Sequence, residues 1–163
     1  ATDPTGEVLP ELVERAIRVK IDVVVADLKE TGGSGGAGGH PGREVLNYGH
    51  TLAHALETVG GYGLLHGEAV AVGLVFAAGL AAALDRLDEA AVDGVRASLT
   101  RLGLPVTAPA GADPAKLTAL MRRDKKATGG LTFVLPAPGG GPLERVDDPP
   151  PEALARAFAA VGL

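Results

Sequence analysis

Arg43-Glu44-Val45-Leu46-Asn47-Tyr48-Gly49-His50-Thr51-Leu52-Ala53-His54-Ala55-Leu56-Glu57-Thr58-Val59 carries two periodic patterns at once. On a helical wheel of about 100° per residue, Val45, Tyr48, Leu52, Leu56 and Val59 fall within about 80° of one another, an apolar face. Arg43, Asn47, His50 and His54 fall within about 60° on the opposite side. The pattern predicts one helix from about Arg43 to Val59, ended by Gly60-Gly61. A solvated face is normally filled with good helix formers such as Lys and Glu. Two histidines, an asparagine and an arginine suit ligand binding better, and His50 and His54, at i and i+4, can approach one point.

His66 follows a glycine-rich turn and heads a further helix to about Leu84. Short loops make consecutive helices antiparallel neighbours, so His66 can return to the same point, where three imidazoles would suit a divalent metal. The residues between His50 and His54 are Thr51, Leu52 and Ala53, so the glutamate that a zincin carries inside HExxH is missing. His40, beside Pro41 in a glycine stretch, receives no role. Lys20 shares a helical face with Val13, Ile17 and Val24. It either snorkels its ammonium to water or meets an anion in a polar cleft. Arg122, Arg123, Lys125 and Lys126 form a cationic cluster that is either solvated surface or a binder of phosphate or carboxylate.

The rest of the chain reads as a mainly α domain. Residues 8–30 have helical periodicity, Asp88 is a candidate N-cap for a helix ending at Gly103, Asp113-Pro114 opens a short helix, and Glu152–Val161 forms the last. Leu131–Leu135 is the one clear strand, alone or in a hairpin. The length of 163 residues fits a single domain, 1–163. Its 46% hydrophobic content but 3% aromatic content means a core of Leu, Val and Ala. A net charge of −5 and no basic stripe argue against nucleic acid. The absence of cysteine excludes disulfides and thiolate ligands. The longest apolar run, Ala69 to Leu84, is shorter than the roughly 20 residues that span a bilayer and reads as a core helix. A cytoplasmic protein, without membrane partners and seen as a fragment, is the expectation.

Leu46-Asn47-Tyr48-Gly49-His50-Thr51-Leu52-Ala53-His54-Ala55-Leu56-Glu57 resembles the central motif of 3-dehydroquinate synthases. His66-Gly67-Glu68-Ala69-Val70-Ala71-Val72-Gly73 resembles their second motif, and Arg18-Val19-Lys20-Ile21-Asp22-Val23-Val24 their lysine-bearing helix. Met121-Arg122-Arg123-Asp124-Lys125-Lys126 and Leu131-Thr132-Phe133-Val134-Leu135 match their late segments, so the resemblance covers nearly the whole chain, in order. It implies the carboxy-terminal, metal- and substrate-binding half of a shikimate-pathway lyase, a homodimer when full length. Such enzymes convert 3-deoxy-arabino-heptulosonate 7-phosphate into 3-dehydroquinate by transient oxidation with NAD, phosphate elimination, reduction, ring opening and aldol closure. The resemblance makes His50 and His66 ligands of Zn2+ or Co2+, and His54 a substrate-contacting proton relay rather than a third ligand. Lys20, Arg43, Asn47 and one of Lys125 and Lys126 would hold the substrate, and NAD would sit mainly on an absent amino-terminal half.

Some features depart from the family pattern. The family's third metal ligand is a glutamate in an Ala-Glu-Val-Ile-Lys segment with no counterpart here, since Gly6-Glu7-Val8-Leu9 lies too close to the first helix. No glycine-rich phosphate loop follows a strand. Ala53 stands where the family often has glycine, and the glycine stretch before Arg43 resembles an insertion. Sister sugar-phosphate cyclases that make cyclitols, iron-dependent alcohol dehydrogenases and a non-catalytic relic domain are the alternatives. By composition, the glycine-rich loop at 32–42 is expected to be flexible, because little in it can bury apolar area against the entropy of ordering. Limited proteolysis with subtilisin should cut first within 32–42, and slow amide exchange throughout 32–39 would contradict that expectation.

Overall fold

The computed structural model describes residues 9–26, 42–123 and 130–163. Along the chain run α1 (Leu9–Ala26), a 3-10 helix (Arg43–Asn47), α2 (His50–Val59), α3 (His66–Ala83), α4 (Glu89–Arg101), α5 (Pro114–Arg123), β1 (Thr132–Pro136), β2 (Leu143–Asp147) and α6 (Pro151–Ala160). The mainly α reading is correct, and of the two late alternatives, one short strand or a hairpin, the hairpin forms. Two compact units divide the chain, residues 1–46 and 47–163. The expected loop at 32–42 lies, except for Gly42, outside the described residues, as do Asp124, Lys125 and Lys126.

In the first unit α1 carries i,i+4 ion pairs from Glu11 to Arg15 (2.5 Å) and from Glu14 to Arg18 (2.6 Å). Both place the acid amino-terminal to the base, the better order along the helix dipole. Lys20 is exposed on this helix.

In the second unit α3 is the centre. Its sequence is apolar on all sides rather than amphipathic, and twelve of its residues, from Ala69 to Ala82, are buried. It is long and apolar enough to be compared with a membrane-crossing helix, but 67% of it is buried within the fold, which makes it the core helix expected from its composition. Leu52 and Leu56 of α2, Leu117 and Met121 of α5, Phe133 and Leu135 of β1, and Leu154 and Phe158 of α6 complete the same core. Phe76 links three elements, with ring centroids 6.0 Å from Phe133 and 4.9 Å from Phe158. Small residues let the helices close up. A Cβ added at Gly79 would stand 2.6 Å from the Ala160 Cβ.

The expected single helix from Arg43 to Val59 is interrupted. A 3-10 turn ends at Asn47, the chain turns at Tyr48-Gly49, and α2 begins at His50. Gly49 has φ +79°, in the left-handed region, and its carbonyl oxygen lies against the Cα of Gly73, where a Cβ would be only 2.0 Å away. The tertiary contact overrides a locally helical pattern. Arg43 and Asn47 are therefore not on one continuous helical face with His50 and His54.

The other boundaries follow local chemistry. The Asp88 carboxylate accepts from the Ala91 N–H at 2.8 Å, capping α4, and Asp113 accepts from Ala115 N–H at 2.9 Å ahead of α5. β2 pairs antiparallel with β1, Thr132 opposite Asp147 and Pro136 opposite Leu143. β1 is buried along its whole length while β2 is mostly exposed, and Thr51 Oγ1 of α2 donates to the Thr132 carbonyl at 3.1 Å.

The glycine contact gives a paired prediction. Gly73→Ala should lower unfolding stability by about 1–3 kcal/mol or more through overpacking. Gly94→Ala, in α4 where an added Cβ meets nothing within 4 Å, should raise it by about 0.5–1 kcal/mol. Urea denaturation of both variants checks this, and a Gly73→Ala chain as stable as the parent would show that the contact relaxes freely.

Candidate functional site

α2 and α3 meet through the loop 60–65, and α2 ends at Gly60, whose φ of +68° lets the chain leave the helix. His50 is the first residue of α2 and His66 the first of α3, and their ring centroids are 5.5 Å apart. The His54 ring lies 5.6 Å from that of His50, edge to face. The three histidines singled out in the sequence are thus brought together at one end of the α2–α3 pair.

Hydrogen bonds decide which ring nitrogens face a ligand. His50 Nδ1 lies 3.2 Å from the Tyr48 carbonyl oxygen, and His66 Nδ1 lies 2.9 Å from Glu57 Oε1. A carbonyl and an ionised carboxylate can only accept, so each Nδ1 carries hydrogen. In the neutral ring the lone pair then sits on Nε2. This is the arrangement of metal-ligating histidines, which donate their other ring N–H to a carboxylate or backbone carbonyl. The donor set therefore fits a divalent metal of nitrogen-ligand type. It is incomplete, because no group of three or more candidate ligands forms among the described residues, and catalytic zinc sites normally use three protein ligands.

The remaining predicted residues are placed separately. Asn47 is exposed at the end of the 3-10 helix, at the start of the second unit, whereas Arg43 and Lys20 belong to the first unit. Lys125 and Lys126 lie outside the described residues. Glu57, the acceptor for His66, was not singled out by sequence reasoning. The signal was present, since Glu57 is seven residues after His50 and falls on the same helical face as both histidines. Burial raises the Tyr48 phenol above its ordinary pKa of 10.0.

Residues 1–127 match the model of the 3-dehydroquinate synthase C-terminal family. The chain belongs to that family. It is 48% identical over 161 residues to the 3-dehydroquinate synthase of Mycolicibacterium vanbaalenii, covering 99% of this chain and 42% of that protein. A putative aminodehydroquinate synthase of Amycolatopsis mediterranei is 47% identical over 143 residues, 88% of this chain and 38% of that one. The chain spans about two fifths of the length of these relatives. Among solved structures, the 2-epi-5-epi-valiolone synthase ValA of Streptomyces hygroscopicus, with NAD+ and Zn2+ bound, has the same fold. Its TM-score is 0.75 at 22% identity, over 96% of this chain and 41% of that one. A 2-deoxy-scyllo-inosose synthase complexed with carbaglucose-6-phosphate, NAD+ and Co2+ gives a TM-score of 0.56 at 25% identity, over 73% of this chain and 33% of that one. These relatives and structural neighbours are thus named as synthases, and these two solved structures hold NAD+ with Zn2+ or Co2+.

The buried Tyr48 predicts an alkaline effect. Its folded pKa is raised, so the neutral phenol's contribution is fully present below the unfolded value of 10.0 and is lost as pH rises through the higher folded value. Unfolding stability followed between pH 9 and 11.5 should fall more steeply in the parent chain than in Tyr48→Phe, and identical slopes would contradict the assignment.

Proposed function

We propose that the chain is the metal- and substrate-binding half of a 3-dehydroquinate synthase. It would act on 3-deoxy-arabino-heptulosonate 7-phosphate in the shikimate pathway, in the cytoplasm and within a homodimer. The single observation that carries this reading is the pair of fixed tautomers, His50 on the Tyr48 carbonyl and His66 on Glu57, with ring centroids 5.5 Å apart. Membership of the family supports the substrate class.

His50 and His66 would hold Zn2+ or Co2+ through Nε2, with a further ligand supplied from outside the described residues. When bound, the metal supplies Lewis acidity at a substrate hydroxyl, and NAD, held mainly by a nucleotide-binding half, supplies the hydride acceptor. His54, beside His50 and exposed, would contact substrate and move a proton rather than ligate. Lys20, Arg43, Asn47 and one of Lys125 and Lys126 would bind the carboxylate, phosphate and hydroxyl groups of the substrate. All 163 residues would work as one functional module alongside the nucleotide-binding half.

A sister cyclase activity is the second reading, favoured by the 47% identity to a putative aminodehydroquinate synthase. One experiment separates them. A nucleotide-binding half from a relative is added in trans or fused, with NAD and zinc, and phosphate release is followed with the heptulosonate and with its amino analogue. The heptulosonate should be preferred, while the 163-residue chain alone should give no turnover. His50→Ala and His66→Ala should lose metal and activity together. His54→Ala should keep the metal and slow turnover on the order of 10²–10⁴-fold. Turnover without the added half, or metal loss in His54→Ala, contradicts these roles.

A further inference from the structure

Glu57 neither ligates nor contacts substrate in the scheme above, yet its Oε1 lies 2.9 Å from His66 Nδ1 across the α2–α3 loop. We propose that Glu57 is a positioning residue that holds His66 in the tautomer presenting Nε2 to a divalent metal. The proposal rests on the metal reading of His50 and His66 and adds to it the group that makes one of the two ligands competent.

The two histidines are oriented by different means. His50 uses the backbone carbonyl of Tyr48, which no substitution of a side chain deletes. His66 depends on a side chain. Glu68, the other acid near the start of α3, accepts from the Leu65 N–H at 2.8 Å and is engaged in capping the helix, so Glu57 is the carboxylate facing the imidazole. The Glu57 side chain is 34% exposed and the His66 side chain 59%, which makes the acid the better-fixed end of the pair. So exposed a pair adds little to stability. Its consequence is the choice between ring nitrogens, because an ionised carboxylate accepts only and draws the hydrogen to Nδ1. Without it, the ring of a neutral histidine is free to carry the hydrogen on Nε2, the atom that must be bare to bind metal.

The test uses the 163-residue chain with 15N-labelled histidine, Zn2+ as the probe, and two readouts. Long-range NMR at a pH where the imidazoles are neutral should place the His66 hydrogen on Nδ1 in the parent, and move it to Nε2 in Glu57→Ala. Chelator competition should show zinc affinity falling about 10–100-fold in Glu57→Ala. Glu57→Gln, nearly isosteric and still offering an oxygen acceptor, should retain the parent tautomer and lose less affinity. A purely structural clip between α2 and α3 would change the melting temperature and leave the tautomer and zinc affinity in place, and that result overturns the proposal. If zinc binding is lost in His50→Ala and His66→Ala but not in Glu57→Ala, the proposal fails and the metal centre stands. If the parent chain does not bind zinc through His50 and His66, the metal centre itself fails, whatever the tautomer.

Discussion

The approach of the Gly49 carbonyl to the Cα of Gly73 sets the geometry on which the site depends. With a Cβ only 2.0 Å from that oxygen, no other residue fits at 73 without displacing α2 from α3. The same contact holds Gly49 at positive φ, which ends the 3-10 helix and lets α2 begin at His50. His50 is thereby the first residue of its helix, with Nδ1 within reach of the Tyr48 carbonyl two residues back. A backbone contact between two glycines thus decides a histidine tautomer on the next residue.

Much of this was legible in the residues. The unbroken apolar run of α3 predicted a buried helix, and Asp88 and Asp113 marked helix starts that the hydrogen bonds bear out. The convergence of His50, His54 and His66 followed from an i,i+4 pair and a short loop. The helix through Arg43 to Val59 was misread because Gly49 is penalised only weakly by local propensity, whereas the contact that breaks the helix comes from Gly73, 24 residues away. β2 was legible only as the hairpin alternative, without bounds, since Leu143-Glu144-Arg145-Val146-Asp147 is charged and mostly exposed and is held by pairing to the buried β1. Glu57 was legible in principle from its place on the histidine face, but its partner is in another helix.

Family membership and site geometry bear on different questions. Relatedness over 99% of the chain, to a protein of which it spans about two fifths, places the chain in its family. The geometry says how those histidines are prepared, two with defined hydrogen positions and a third stacked edge to face against the first. Aromatic residues are few, and all three phenylalanines join in one contact chain through Phe76, which ties β1 and α6 to the helix that starts at His66.

That α3 is buried on nearly every side also bears on motion. A helix clamped by α2, α4, α6 and β1 cannot slide or rotate without opening voids in a close-packed interior. Its first residues, His66 and Gly67, are exposed, and the buried stretch begins only at Ala69. Local opening in proteins is drawn from segments with few buried contacts, and residues 60–67 of the α2–α3 corner, none of them buried, form such a segment beside that clamped helix. Rearrangement at the His66 end therefore falls to the corner, while the buried stretch from Ala69 to Ala82 serves as its anchor.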